Sequence, residues 1–246
     1  MKWQRTEPSL RLDLVSDAVT AMESAESLEE ALAEMVELVC TRTIWQYAET
    51  WVPSESESGE QLLRAGSVWY GDVGRHYEYR SVSTHFTFQR GEGLPGRAWQ
   101  TGDVQWIRDA AWSDPSYFRR ASAARDADLH AGIAAPITDG EDLVAVVTFF
   151  RHDRFGRDRE SVELVGTLAK IASLVARAER FRGAAEDAGD SVGCDSEEVD
   201  VDEWSVEPAS PMTPNDGEEA VDASDGDGDT NHATGMTSAV SRRRST

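Results

Sequence analysis

The sequence predicts an α+β domain, an antiparallel sheet framed by helices, followed by a disordered acidic tail. Three observations predict it. Apolar residues recur at helical spacing at both ends of the first 182 residues. Between those ends lie short alternating or apolar runs joined by short links, which favour antiparallel pairing. After Arg182 the composition changes: Met1 to Arg182 holds 29 acids and 21 bases, Gly183 to Thr246 holds 17 acids and 3 bases.

The opening helix is read from Leu12, Val15, Val19 and Met22, which step by 3, 4 and 3. After Ser27, a residue suited to an N-cap, Leu28, Leu32, Met35 and Val39 step by 4, 3 and 4. This is one helix or a kinked pair, with residues 1–15 as a helical lead-in to a domain spanning 16–182. A last helix from about Asp158 to Arg182 carries Leu164, Leu168, Ile171, Val175 and Ala178. Both seams have near-heptad spacing, so they are expected to pair across a two-fold axis in a homodimer.

Strands fill the middle. In WQYAETWV the residues Trp45, Tyr47, Glu49 and Trp51 are expected to face one way, and QLLRAGSVWY gives a second strand ending in Trp69 and Tyr70. His85 to Gln89 reads as a short third strand. AGIAAPIT and DLVAVVTFF are joined by Asp139, Gly140 and Glu141, a hairpin signal. Leu143 to Phe150 is apolar on both sides, which predicts a central strand covered on both faces. Helices are expected from about Leu94 to Thr101 and from about Pro115 to Ala127, with an edge strand ending at Asp109.

Charge excludes several functions. A formal net charge of −22 repels phosphate backbones, so nucleic acid is not an expected partner. No apolar run reaches the length of a membrane span and the start lacks an apolar signal core, so neither membrane nor secretion is expected. Cys40 and Cys194 lie far apart without metal-ligand spacing, which excludes a disulfide scaffold and fits a reduced, cytoplasmic interior. Lys2 and Lys170 are the only lysines, and arginine with excess carboxylate looks like salt adaptation. In the tail, residues 183–246, large apolar side chains are too sparse to offset chain entropy. Asp225, Asp227 and Asp229 start like a calcium loop, but Thr230 and Met236 stand where that loop needs Gly and Glu. Arg242, Arg243 and Arg244 are too few for a polybasic anchor.

The segment GEGLPGRAWQTGDVQWIRD, Gly91 to Asp109, followed by LHAGIAAPI and LVAVVTFF, resembles the GAF domain family. The resemblance covers roughly Ser16 to Arg182. It implies a sheet of about six antiparallel strands with helices on both faces, in a sensor that is often dimeric. Neither Cys40 nor Cys194 matches the pocket cysteine of bilin-binding relatives or the several cysteines of sulfoxide-reducing ones. RHDRFGRDRE keeps Phe155 and Asp158 of the cyclic-nucleotide signature but lacks its Asn and Lys. The resemblance therefore names no cofactor.

Gly91, Gly93 and Gly96 spell G-x-G-x-x-G, but Pro95 inside it and the 90 residues before it argue for a turn with close backbone approach rather than a dinucleotide cradle. The following helix start, with Arg97 just inside it, could meet an anionic group. Trp112 and Phe118, beside Tyr117, are expected to stack on a ligand held between the sheet and the segment from Asp109 to His130. Arg97 or His130 would supply a polar contact, and Asp109 either a turn hydrogen bond or a ligand contact. Each of these also has a structural role open to it, and the tryptophans can simply fill cores. His76, His85, His130 and His152 lack metal spacing, and no nucleophile elbow, catalytic triad or Walker loop is visible, so no enzyme is expected. The expected function is a non-catalytic module that binds a small molecule and signals in trans to a partner through dimerising terminal helices. The alternative is an interaction scaffold with a filled pocket.

Overall fold

Ser27 divides the opening helical stretch: its hydroxyl accepts the Glu30 N–H at 3.2 Å, so α1 (Pro8–Ser24) and α2 (Leu28–Arg42) are separate helices. The computed structural model describes residues 8–190. The first seven residues, Lys2 among them, and residues 191–246 of the expected tail, with Cys194, the aspartates of the calcium-like stretch and the closing arginines, lie outside the described residues.

After α2 come β1 (Tyr47–Glu55), β2 (Gln61–Tyr70), α3 (Val73–Ser83), β3 (Thr87–Phe88) and α4 (Gly93–Thr101). They are followed by β4 (Gln105–Ile107), α5 (Ala121–Asp126), β5 (Gly132–Asp139), β6 (Asp142–Phe150) and α6 (Arg159–Asp190). The described strands form one antiparallel sheet in the order β3-β2-β1-β6-β5-β4. The apolar β6 is therefore central, as its two-sided pattern predicts. Gly140 at φ +65 turns the β5–β6 hairpin.

Two cores flank the sheet. On one face α1, α2 and α6 bury Leu14, Ala18, Met22, Leu32, Met35, Val39, Leu168 and Ala172. On the other, α3, α4, α5 and the loop before α5 cover Tyr47, Trp51, Phe88, Leu94, Phe118 and Phe150. The inward stripe of α1 is Leu14, Ala18 and Met22, whereas Leu12 of the expected seam is 71% exposed. On α6, Leu168 is buried inside its own domain, and Leu174 and Phe181 face outward.

Three expectations are corrected and one element is new. Trp45 precedes β1 and packs in the α1/α2/α6 layer, 5.6 Å from Trp106 and 6.4 Å from Phe149, so it does not share a face with Tyr47 and Trp51. The helix expected over Pro115 to Ala127 is confined to α5. Asp114 takes the Ser116 N–H and hydroxyl on its side chain and the Tyr117 and Phe118 N–H groups on its carbonyl, a turn that competes with helix. Helix α3 was not expected, because its buried residues are His76, Tyr79 and Ser83, with no aliphatic stripe to announce it. Finally, α6 runs to Asp190, past the expected end at Arg182.

The glycine-rich turn is a close backbone approach. Gly91 (φ +89) and Gly93 (φ +61) adopt left-handed conformations, Gly91 N–H donates to the Gly96 carbonyl at 2.7 Å, and a Cβ on Gly96 would clash with the Gln89 carbonyl oxygen. The β5–β6 turn is tied to α6: Asp139, 5% exposed, pairs with Arg177 at 3.2 Å and with Arg180, and the Thr138 N–H donates to Ser173 Oγ at 3.0 Å.

Candidate functional site

Strand β1 alternates faces, and its face toward α3–α5 carries Tyr47, Glu49 and Trp51. A carboxylate on that face needs a partner. It comes from the irregular loop before α5: Arg120 Nη1 donates to Glu49 Oε1 at 2.6 Å, with both side chains 0% exposed. Tyr47 donates its hydroxyl to Glu49 Oε2 at 2.9 Å. Ser83 Oγ, which donates to the Tyr79 carbonyl at 2.9 Å, accepts a second bond from Arg120 Nη1.

Aromatic rings enclose this pair. The Arg120 Cζ lies 4.7 Å from the Trp51 ring centroid, 4.9 Å from Tyr79, 5.4 Å from Phe118 and 5.5 Å from Phe88. The rings also brace one another, Trp51 edge-on to Phe88 at 4.8 Å and Tyr47 edge-on to Tyr79 at 5.2 Å. Burial works against the charge of Arg120, but Glu49 foremost, with Tyr79 and Tyr47, holds its guanidinium above the ordinary value. Burial and the Glu49 charge push the Tyr47 hydroxyl well up, and burial pushes up Tyr79, so both remain phenols. Among the described residues Arg120 Nε and Nη2, Trp51 Nε1 and the Tyr79 hydroxyl find no hydrogen-bond partner. Buried donors left this way cost free energy.

A cavity of about 620 Å³ lies between α3 and α5. Tyr79 is part of its lining, and Arg75, Glu78, Val82, Ala123 and Asp126 line it further.

The five residues singled out from sequence occupy different places. Phe118 is a wall of the aromatic chamber, 2% exposed and 5.9 Å from Phe150. Arg97 stacks on the neighbouring Tyr117, 3.9 Å from its centroid, and burial lowers its pKa. Trp112 is 60% exposed, with Arg125 lying 4.1 Å over its ring. Asp109 and His130 are brought together: His130 Nδ1 and Asp109 Oδ1 are 2.8 Å apart, and Arg154 pairs with the other carboxylate oxygen. Glu49 and Arg120 were not singled out. Glu49 carried a signal, being a carboxylate in register with Tyr47 and Trp51; Arg120, after Arg119, carried none.

A polar chain continues from His130. Its Nε2 lies 3.3 Å from Asp128, which also meets Arg75 at 3.4 Å, and Arg75 reaches His152 Nδ1 at 3.1 Å. His76 Nε2 is 3.0 Å from His152 Nε2, and the Asp72 N–H donates to His76 Nδ1 at 3.0 Å, so the neutral His76 ring carries its proton on Nε2. Burial foremost, then electrostatic coupling to His152 and Arg75, depresses His76 to about 4; burial also lowers His152. Among the described residues no cluster of three or more His, Cys, Asp or Glu is arranged to hold a metal. Cys40, on α2 in the opposite core, is pushed up to about 12 by burial.

An antiparallel sheet with helical layers on both faces, and on one of them a loop that lays a buried ion pair among aromatic rings, is the arrangement to be placed among known folds. The GAF domain model matches residues 25–175, more than half of the chain, and the chain belongs to the GAF domain family. GAF domains are a family of signalling and ligand-binding modules. Solved structures share the fold. Free methionine-R-sulfoxide reductase from Neisseria meningitidis, in complex with its substrate, superposes with a TM-score of 0.57 at 14% identity, over 74% of this chain and 97% of that one. The GAF domain of a phosphoenolpyruvate-protein phosphotransferase from Coxiella burnetii gives 0.57 at 19% identity, over 73% and 99%. The A. aeolicus nlh2 GAF domain, in an inactive state, gives 0.52 at 19%, over 69% and 97%. A stretch of 76 residues is 32% identical to the anthocyanin regulatory Lc protein of Zea mays, spanning 31% of this chain and 12% of that protein's length.

These neighbours correct one expectation. The chain was expected not to be an enzyme because no catalytic motif is visible. The sulfoxide reductases share its architecture, so the fold is one that carries catalysis as well as sensing. Among the described residues no helix is long and apolar enough to cross a membrane.

Proposed function

We propose that this GAF domain is a cytoplasmic sensor that binds a small molecule at the chamber between the sheet and the segment 109–130. The bound state biases α1 and α6 of a homodimer, which pass the signal in trans to a partner protein. The observation that carries this reading is the buried Arg120–Glu49 pair with four surplus donors around it. A buried ion pair is a poor way to stabilise a core, since desolvation offsets most of its attraction. A ligand that satisfies those donors or displaces Arg120 removes that cost.

Phe118 walls the site, while Arg97, Asp109, Trp112 and His130 border the same segment and set how it moves. The sensing core is 16–182, with the lead-in 1–15 and the tail from 183 outside it. Outward-facing Leu12, Leu174 and Phe181, each more than half exposed, supply the apolar surface for the dimer.

The alternative is an interaction scaffold, favoured by the fact that Arg120 fills the space between the rings. Thermal unfolding and hydrogen exchange of the full chain against a broad metabolite panel separate the two. A sensor gives at least one compound that raises the midpoint and alters exchange in 109–130. A panel without such a compound leaves the scaffold.

A further inference from the structure

We propose that the chamber is a receptor for a small methylated ammonium ion, and that Arg120 is a tethered cation occupying its place. This rests on the sensor reading of the same site. Trp51, Tyr79, Phe118 and Phe88 surround the Arg120 guanidinium with centroids 4.7 to 5.5 Å from Cζ, the distances at which ring faces attract a cation. Glu49, closed to solvent, supplies the counter-charge, and Tyr47 fixes its second oxygen. Together they form an aromatic cage with a carboxylate at its base.

The guanidinium fits that cage incompletely. Nη1 is matched by Glu49 and Ser83, whereas Nε and Nη2 have no acceptor among the described residues. A primary ammonium or a second guanidinium would import the same unmatched donors. A methylated ammonium carries equal charge with few N–H groups or none, so it takes the cage without that desolvation cost.

Arg120 can also leave. It stands in the irregular stretch just before α5 and makes no side-chain capping bond to that helix, so its withdrawal breaks neither helix nor strand. Tyr79 belongs both to the rings around Arg120 and to the lining of the cavity between α3 and α5, which carries two acids, Glu78 and Asp126, against one base, Arg75. Such a lining draws cations inward. Displaced, Arg120 unties the residues just before α5 from Glu49 and Ser83, which turns occupancy of the cage into a local change in the loop.

The test uses the full chain with choline and tetramethylammonium chloride, against matched potassium chloride and the uncharged isostere dimethylbutanol. Calorimetry should show choline binding Arg120→Met at least about tenfold more tightly than the unmodified protein, because Glu49 then lacks a cation. Adding Glu49→Gln should abolish that binding, and dimethylbutanol should not bind. In the unmodified protein, choline up to about 0.1 M should speed hydrogen exchange around Arg120 and slow it in β1. Equal affinity for Arg120→Met and the unmodified chain, or equal binding of dimethylbutanol, overturns the proposal. Should Arg120→Met fail to fold, rescue of its folding by choline supports it. Failure of rescue, with no exchange change in the unmodified chain, overturns it. If another panel compound alters exchange in 109–130 while both ammonium ions do nothing, the cation assignment falls and the sensor reading stands. If nothing in the panel binds, both fall.

Discussion

Glu49 and Arg120 stand 71 residues apart in the chain and 2.6 Å apart in the fold, each side chain closed to water. The contact joins the centre of the sheet to the loop that roofs it. Removing one partner leaves a buried charge alone: Arg120→Met should cost about 3 to 5 kcal/mol of unfolding free energy. The double variant Glu49→Leu with Arg120→Met should recover most of that loss. Urea unfolding of the two variants checks it, and a single variant within about 1 kcal/mol of the unmodified protein contradicts it.

Phe118 and Trp112 sit six residues apart in one segment yet should respond oppositely to truncation. Phe118→Ala removes a ring that is 2% exposed and should cost about 3 to 5 kcal/mol. Trp112 is 60% exposed, and Trp112→Ala should stay within about 0.5 kcal/mol. The same unfolding measurement compares them.

Acid should destabilise the fold through His76. Its native pKa of about 4 lies below the ordinary 6.5, so between those values the unfolded chain takes up a proton that the native ring refuses. The stabilisation is complete above the ordinary value and is lost as pH falls through this window; His152 acts in the same direction. Thermal midpoints should fall from about pH 7 to about pH 4.5, and His76→Gln should flatten the slope. An unchanged slope in that variant would assign the loss to carboxylates elsewhere.

For the dimer, the outward positions are the cleaner probes. Ile171 packs against its own core, so Ile171→Asp mixes assembly with folding, whereas Leu174 is 64% exposed. Leu174→Glu should yield monomers with an unchanged thermal midpoint in light scattering at about 10 to 50 micromolar. A monomeric unmodified protein at that concentration rules out the assembly.

The length of α6 bears on where the folded unit ends, since the helix continues eight residues past Arg182. A chain ending at Asp190 should unfold with the midpoint of the full protein in matched salt. One ending at Arg182 removes residues that α6 includes and should unfold earlier. Equal midpoints for all three would show that the residues after Arg182 add nothing to folding.

Periodicity made most of the sheet and both terminal helices legible, because apolar residues there answer to one packing partner. Leu143 to Phe150 reads as a central strand from its two-sided apolar pattern and lies in the middle of the sheet, and Ser27 could be seen as a cap from its neighbours alone. Helix α3 escaped because what it buries is polar or aromatic, His76, Tyr79 and Ser83, and those burials depend on partners distant in the chain. The site escaped for the same reason. Glu49 is unusual only once it is placed between Tyr47 and Trp51 on a covered face, and Arg120 is one arginine among many until the fold carries it there. Aromatic residues near a loop do not announce their own burial: Phe118 is turned inward and Trp112 to water, and only the fold separates them.

The pinning of α6 at the β5–β6 turn has a mechanical consequence. Ser173, Arg177 and Arg180 all fasten to Thr138 or Asp139, so this stretch of the helix acts as a fulcrum. Ten residues extend past it to Asp190, an arm of roughly 15 Å at the helical rise. A tilt of about 5° at the fulcrum would swing the arm's end by roughly 1.3 Å, while the strands beneath move by a small fraction of that. Displacements of that size are enough to shift helices against one another at a subunit interface.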